Sequence, residues 1–89
     1  MLTASQRKAL KARAHKLEPV VLVGAKGLTG EVVAEIDRAL KAHELIKVRA
    51  PSLERDAREH ALAALCERTG AQAVQQIGKL WVLFRKNDE

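Results

Sequence analysis

The sequence predicts an α+β fold with the element order αβαβαββ, and three observations carry that prediction. Helical and strand periodicities alternate along the chain, capping residues and prolines mark the boundaries, and Gly78-Lys79 separates two final apolar runs. Strand 1 to strand 2 and strand 2 to strand 3 each cross over through a helix, which favours parallel strands, and the closing hairpin is antiparallel. The expected architecture is a two-layer αβ sandwich on a mixed four-stranded sheet, with residues 1–89 forming one domain.

Thr3 and Gln6 form a Thr-x-x-Gln capping box that opens the first helix. Leu10, Ala14 and Leu17 repeat at helical spacing and are expected to face the core. Arg7, Lys8, Lys11 and His15 fall within one sector of roughly 100° beside that stripe. Arg13 and Lys16 project elsewhere. Pro19 closes the segment because it holds Glu18 extended. Val20 to Val23 is wholly apolar, the pattern of a strand buried on both faces. From Gly30 to about His43 the period is helical, with Val32, Val33, Ile36 and Leu40 on one side, Thr29 as the N-cap and Glu31 suited to the helix dipole.

Leu45 to Ala50 alternates, with Ile46 and Val48 on one face and Lys47 and Arg49 on the other, which reads as a half-exposed strand. Pro51 and Ser52 introduce a third helix, with Glu54 and Asp56 near its start and Gly70 just past its end. Its apolar side is Ala57, Ala61, Leu62 and Leu65. Ala71 to Ile77 and Leu80 to Arg85 read as strands, and glycine in the first position of the Gly78-Lys79 link fits a type II′ turn. The tail, Lys86 to Glu89, is polar and expected to fray.

Composition narrows the functional classes. A chain of 89 residues, 47% hydrophobic, must use most of its apolar side chains to make one core. A single cysteine, Cys66, excludes an internal disulfide. No apolar run approaches the roughly 18 residues of a membrane span, and the N-terminus lacks the apolar core of a signal peptide, so a cytoplasmic protein is expected. The net charge of +5 is unevenly placed: residues 1–26 hold six bases against Glu18 alone, while ten bases and ten acids cancel over residues 27–89. Such a segment suits a polyanionic partner, although a lysine-rich solvated helix face has the same composition.

The stretch "VVLVGAKGLTG" links the first strand to the second helix through Gly24, Ala25, Lys26 and Gly27. It is neither a Walker A loop nor a G-x-G-x-x-G dinucleotide turn, because the glycine spacing is wrong for both and no Gly-Lys-Ser/Thr occurs. G-x-x-G with a basic residue inside is the kind of device with which KH domains clamp a nucleotide backbone, since glycines let the main chain approach and the following helix N-terminus favours anions, although two glycines in a strand-to-helix turn more often serve geometry alone. His15, His43, His60 and Cys66 have no metal-ligand spacing, and no nucleophile or paired-carboxylate arrangement is legible, so no metal, cofactor or catalysis is expected. Trp81 and Phe84 point to opposite strand faces and cannot form one stacking platform, so phosphate and shape recognition are expected to dominate.

The stretches "LTASQRKALKARAHKLEPVVLVGAKGLT", "VVAEIDRALKAHELIKVR" and "ERTGAQAVQQIGKLWVLFRK" together resemble the CRM (chloroplast RNA splicing and ribosome maturation) family, most closely its stand-alone bacterial members of the YhbY type. The resemblance spans nearly the whole chain. It implies a fold like the C-terminal domain of translation initiation factor three, with strand order 1-2-4-3. It also implies RNA binding, association with precursors of the large ribosomal subunit, and a role in ribosome assembly. The family's GxxG turn maps onto Gly24, Ala25, Lys26 and Gly27; here Ala25 stands where many relatives carry the lysine, and Phe84 stands where tyrosine is common. The expected RNA-binding set is Arg7, Lys8, Lys11, His15, Gly24, Ala25, Lys26, Gly27, Lys47 and Arg49. Arg85 and Lys86 are further candidates. The expected partner is ribosomal RNA or the pre-50S subunit, bound by a monomer, with no membrane and no small-molecule substrate. The alternative is a protein-interaction module recruited to the ribosome through proteins, for which Glu54, Asp56 and Glu59 offer an acidic surface.

Overall fold

Thr3 starts the first helix as its side chain dictates: its Oγ1 accepts from the Gln6 N–H, and the Gln6 side chain accepts from the Thr3 N–H. The computed structural model describes residues 2–87. Helix α1 spans Ala4–Ala14, β1 Pro19–Leu22, α2 Gly30–His43, β2 Leu45–Arg49, α3 Arg55–Thr69, β3 Gln72–Ile77 and β4 Leu80–Phe84. The four strands form one sheet in the order β1-β2-β4-β3. The β1–β2 pair is parallel, and β4 runs antiparallel to both of its neighbours. Thus β2 and β3 share a direction, as their crossover requires, with β4 inserted between them.

Helices α2 and α3 pack on one face of the sheet and make the expected sandwich. Its core holds Val21, Val23, Ile36, Leu40, Ile46, Val48, Leu62, Leu65, Trp81 and Leu83. Trp81 is fully buried there. Helix α1 lies over part of the opposite face, where Leu10 and Ala14 meet Leu45, Val74 and Val82, with Phe84 packed alongside. Trp81 and Phe84 therefore do diverge, and β4 contributes to both cores.

This second layer corrects several sequence expectations. The first strand is not buried on both faces: Val20 is 48% and Leu22 61% exposed, because β1 is an edge strand and α1 does not cover it. Strand β2 is central, and Leu45 and Lys47 lie on the face partly roofed by α1, so it is more buried than half-exposed. Leu17 lies beyond the last turn of α1, which ends at Ala14 rather than near Pro19, and is exposed rather than core. Ala57 is exposed at the start of α3, outside the apolar side formed by Leu62 and Leu65.

The tail is tied down through Asn87. Its backbone N–H donates to Glu44 Oε2 and its Nδ2 to Lys41 O, each at 2.8 Å. Fraying at Asp88 and Glu89 lies outside the described residues. The β3–β4 hairpin turns as expected, with positive φ at Gly78 (55°) and not at Lys79.

Candidate nucleic-acid interface

The chain passes from β1 into the glycine turn without losing its partner strand. The Val23 N–H donates to Arg49 O at 2.7 Å, one residue beyond β1. The Gly27 N–H then donates to Gly24 O at 3.0 Å and closes a four-residue turn. Ala25 and Lys26 form its tip, and both are exposed. Thr29 caps α2 by accepting from the Val32 N–H, so the turn leads directly to a helix N-terminus.

The two glycines do different work. Gly27 sits at φ 72°, where a Cβ is strained. Gly24 is not in that region, and a Cβ built there meets no atom within 4 Å. The fold therefore requires glycine at 27 and not at 24. What Gly24 leaves open is the outside of the turn.

Register places the rest. Leu22 pairs with Arg49, Arg49 with Leu80, and Leu80 with Ile77, so one transverse row crosses all four strands at the end of β1 that feeds the turn. Val82 in the next row pairs with Lys47 on one side and Gln75 on the other. Lys11 and His15 overhang this second row from α1: together with Lys47, Gln75, Ile77, Leu80 and Val82 they line one shallow groove that carries no carboxylate. Lys79 adds a cation in the hairpin turn beside Leu80, where its carbonyl accepts from the Ala50 N–H at 2.8 Å.

The expected site residues are thus brought together in part. Lys11, His15 and Lys47 share the groove, Arg49 lies in the adjoining row, and Gly24 to Gly27 with Lys26 follow Leu22 at the end of that row. Lys8 is exposed one helical turn before Lys11. Arg7 is employed differently. Its Nη1 donates to Ala73 O at 2.5 Å and to Val74 O at 2.9 Å, where β3 changes register. Both hydrogens of that nitrogen are committed to holding α1 against the sheet. Arg13 and Lys16 are set apart, lining with His43 a separate cavity of about 430 Å³.

Arg85 is likewise a brace. Its Nη1 reaches Asp37 Oδ1 at 2.6 Å and Thr69 O at 2.8 Å, joining α2 to the end of α3. The hydrogen bond from Arg85 holds the Asp37 carboxyl below its ordinary range, Lys41 adds to this, and partial burial opposes it. Burial pushes the Cys66 thiol upward, away from the reactive thiolate. Among the described residues, no group of three His, Cys, Asp or Glu side chains is placed to hold a metal ion, and no helix is long and apolar enough to cross a membrane.

Sequence reasoning missed the aliphatic members of the row, Leu22, Leu80 and Ile77. The signal available was the strand pairing implied by order 1-2-4-3, which puts β1 at an edge and leaves alternate residues uncovered.

The family model for the CRS1/YhbY (CRM) domain matches residues 2–85. The chain belongs to this family. It is 46% identical over 86 residues to a Pseudomonas aeruginosa protein named "probable RNA-binding protein", covering 97% of this chain and 83% of that one. A Haemophilus influenzae "RNA-binding protein" is 43% identical over 88 residues, covering 99% and 89%. The solution structure of a hypothetical protein from Staphylococcus aureus superposes with a TM-score of 0.86 at 32% identity, covering 100% of this chain and 93% of that one. This CRM domain therefore shares its fold with a solved relative over its full length.

Proposed function

We propose that this CRM-domain protein binds RNA without catalysis of its own, and that it assists assembly of the large ribosomal subunit by docking on ribosomal RNA precursors. The groove carries the reading: Lys11, His15 and Lys47 project into one acid-free channel, beside the end of the sheet that bears Arg49 and the Lys26 turn. Backbone phosphates are the chemistry that a row of cations without aromatic platforms recognises. The naming of relatives as RNA-binding proteins supports RNA as the polyanion. In this reading Lys8, Lys11, Lys26, Lys47 and Arg49 neutralise phosphates, Gly24 admits the sugar-phosphate chain to the main chain, and the monomer acts in the cytoplasm on pre-50S particles.

Each phosphate neutralised releases counterions, so the log–log salt slope of binding falls by about 0.7 per lost contact on single strands and about 0.9 on duplex. Lys11→Ala with Lys26→Ala is expected to flatten that slope by roughly 1.4 to 1.8 on naked ribosomal RNA. Both side chains lack an ion-pair partner among the described residues, so the melting temperature is expected to stay nearly unchanged. An unaltered slope would remove these residues from the interface. Failure of the wild type to bind naked RNA in moderate salt would favour recruitment through proteins instead.

A further inference from the structure

The half of the sheet that α1 leaves bare has two properties that phosphate docking does not use. It is largely aliphatic, and it reaches across all four strands, with Arg49 the one charged residue in its row. Leu22 is 61% and Ile77 53% exposed, although both are large apolar residues in regular strands. They stand at the two ends of the row Leu22–Arg49–Leu80–Ile77, with Leu80 partly exposed between them. Three inter-strand spacings of about 4.8 Å make that row roughly 14 Å long. Four-stranded RNA-recognition sheets place two or three bases on a surface of this kind, using aromatic side chains.

We propose that this strip receives the faces of two or three unpaired bases, while Arg49, Lys47 and Lys11 hold the phosphates of the same strand. The inference rests on the reading of the groove as an RNA interface and adds the form of RNA it takes. Charge decides between occupants. The strip is flanked by Lys79 at the hairpin and by Lys47 and Lys11 in the groove, which no carboxylate lines; at its Leu22 end the Lys26 turn shares its hollow with Glu31. A second copy of this chain would bring like charges together across the contact. A nucleic acid brings phosphates to the cations and apolar base faces to the aliphatic floor at once. A perfect duplex offers no free base faces, so the strip selects unpaired or splayed RNA. Aliphatic side chains present no directional hydrogen bonds, so the contact is tolerant of sequence.

The test compares a short oligouridine, the same oligomer with central abasic riboses, and a duplex of equal length, each bound to wild type and to a Leu22→Ser, Ile77→Ser variant. Both positions are exposed, and thermal melting checks that the variant folds. Wild type is expected to prefer the base-bearing strand over the abasic strand by roughly five- to tenfold, with phosphate charge unchanged. The variant is expected to lose that preference and to keep the salt slope. Equal affinity of wild type for base-bearing and abasic strands overturns the proposal, as does a preference the variant retains. A variant that binds every RNA normally but loses nuclease-resistant association with ribosomal particles overturns it too, and assigns the strip to a protein partner. If wild type binds none of the RNAs in moderate salt, the RNA interface itself is wrong, which is a distinct outcome.

Discussion

At the scale of single residues, Gly24 and Gly27 differ in what the fold asks of them. Gly27 holds φ 72°, and a Cβ there costs about 1–2 kcal/mol. Gly24 has neither a positive φ nor a neighbour that a Cβ would meet. Gly27→Ala is therefore expected to lower stability in urea denaturation by that amount. Gly24→Ala is expected to leave stability unchanged and to weaken RNA binding, since the added methyl faces the outside of the turn. Equal loss of stability in both variants would contradict this division. Arg7 gives the opposite case. Its charge groups it with Lys8 and Lys11 in the sequence, but its bonds to Ala73 O and Val74 O make it a clamp on α1. Arg7→Ala is expected to cost about 1.5–3 kcal/mol of stability, read by chemical denaturation. The salt slope of RNA binding should change much less than in the Lys11 and Lys26 variant.

Among the elements, the ends of α2 and β4 form a clasp that no local pattern announces. Glu44 sits at φ 62°, uncommon for a residue with a side chain. It is held there because its N–H donates to Leu40 O, its carbonyl accepts from the Arg85 N–H, and its carboxylate accepts from Asn87. Beside it, the Arg85 guanidinium keeps Asp37 ionised below its usual range. A depressed carboxylate contributes stability above its unfolded pKa of about 3.9, and loses it as pH falls through the lower folded value. The melting temperature is expected to drop between pH 5 and pH 3, and Asp37→Asn is expected to flatten that drop. The effect is about 1 kcal/mol or less because the pair is partly solvated. An identical pH profile for Asp37→Asn would sever the link.

Elements with short-range causes were legible in the sequence. The Thr3 and Thr29 caps, the Gly78 turn and the bounds of α2 all follow from residues within four positions of one another. The solvent-facing side of β1 was not, because Val20 and Leu22 read as core until α1 is known to cover a different part of the sheet. Arg7 and Arg85 read as candidate RNA contacts rather than braces, since their carbonyl partners in β3 and α3 lie far along the chain.

The molecule as a whole divides its surface by charge. The α2–α3 side carries acids and bases in near balance, while the opposite side brings Lys11, Lys47 and Arg49 beside an uncovered strip of sheet, and the Lys26 turn follows Leu22 at the end of that strip. This arrangement is half legible in the sequence: the charge excess of residues 1–26 and the shared strand face of Lys47 and Arg49 point to a basic surface, but the uncovered strip and its place beside α1 need the strand register. The most direct test is an NMR titration of the isotope-labelled chain with a short single-stranded RNA. Amide shifts are expected at Gly24 to Gly27, Lys11, His15, Lys47, Arg49 and Leu80, with little change on the outer face of α3. Shifts concentrated around Glu54 to Glu59, with the Lys26 turn and the α1 groove unmoved, would contradict the account.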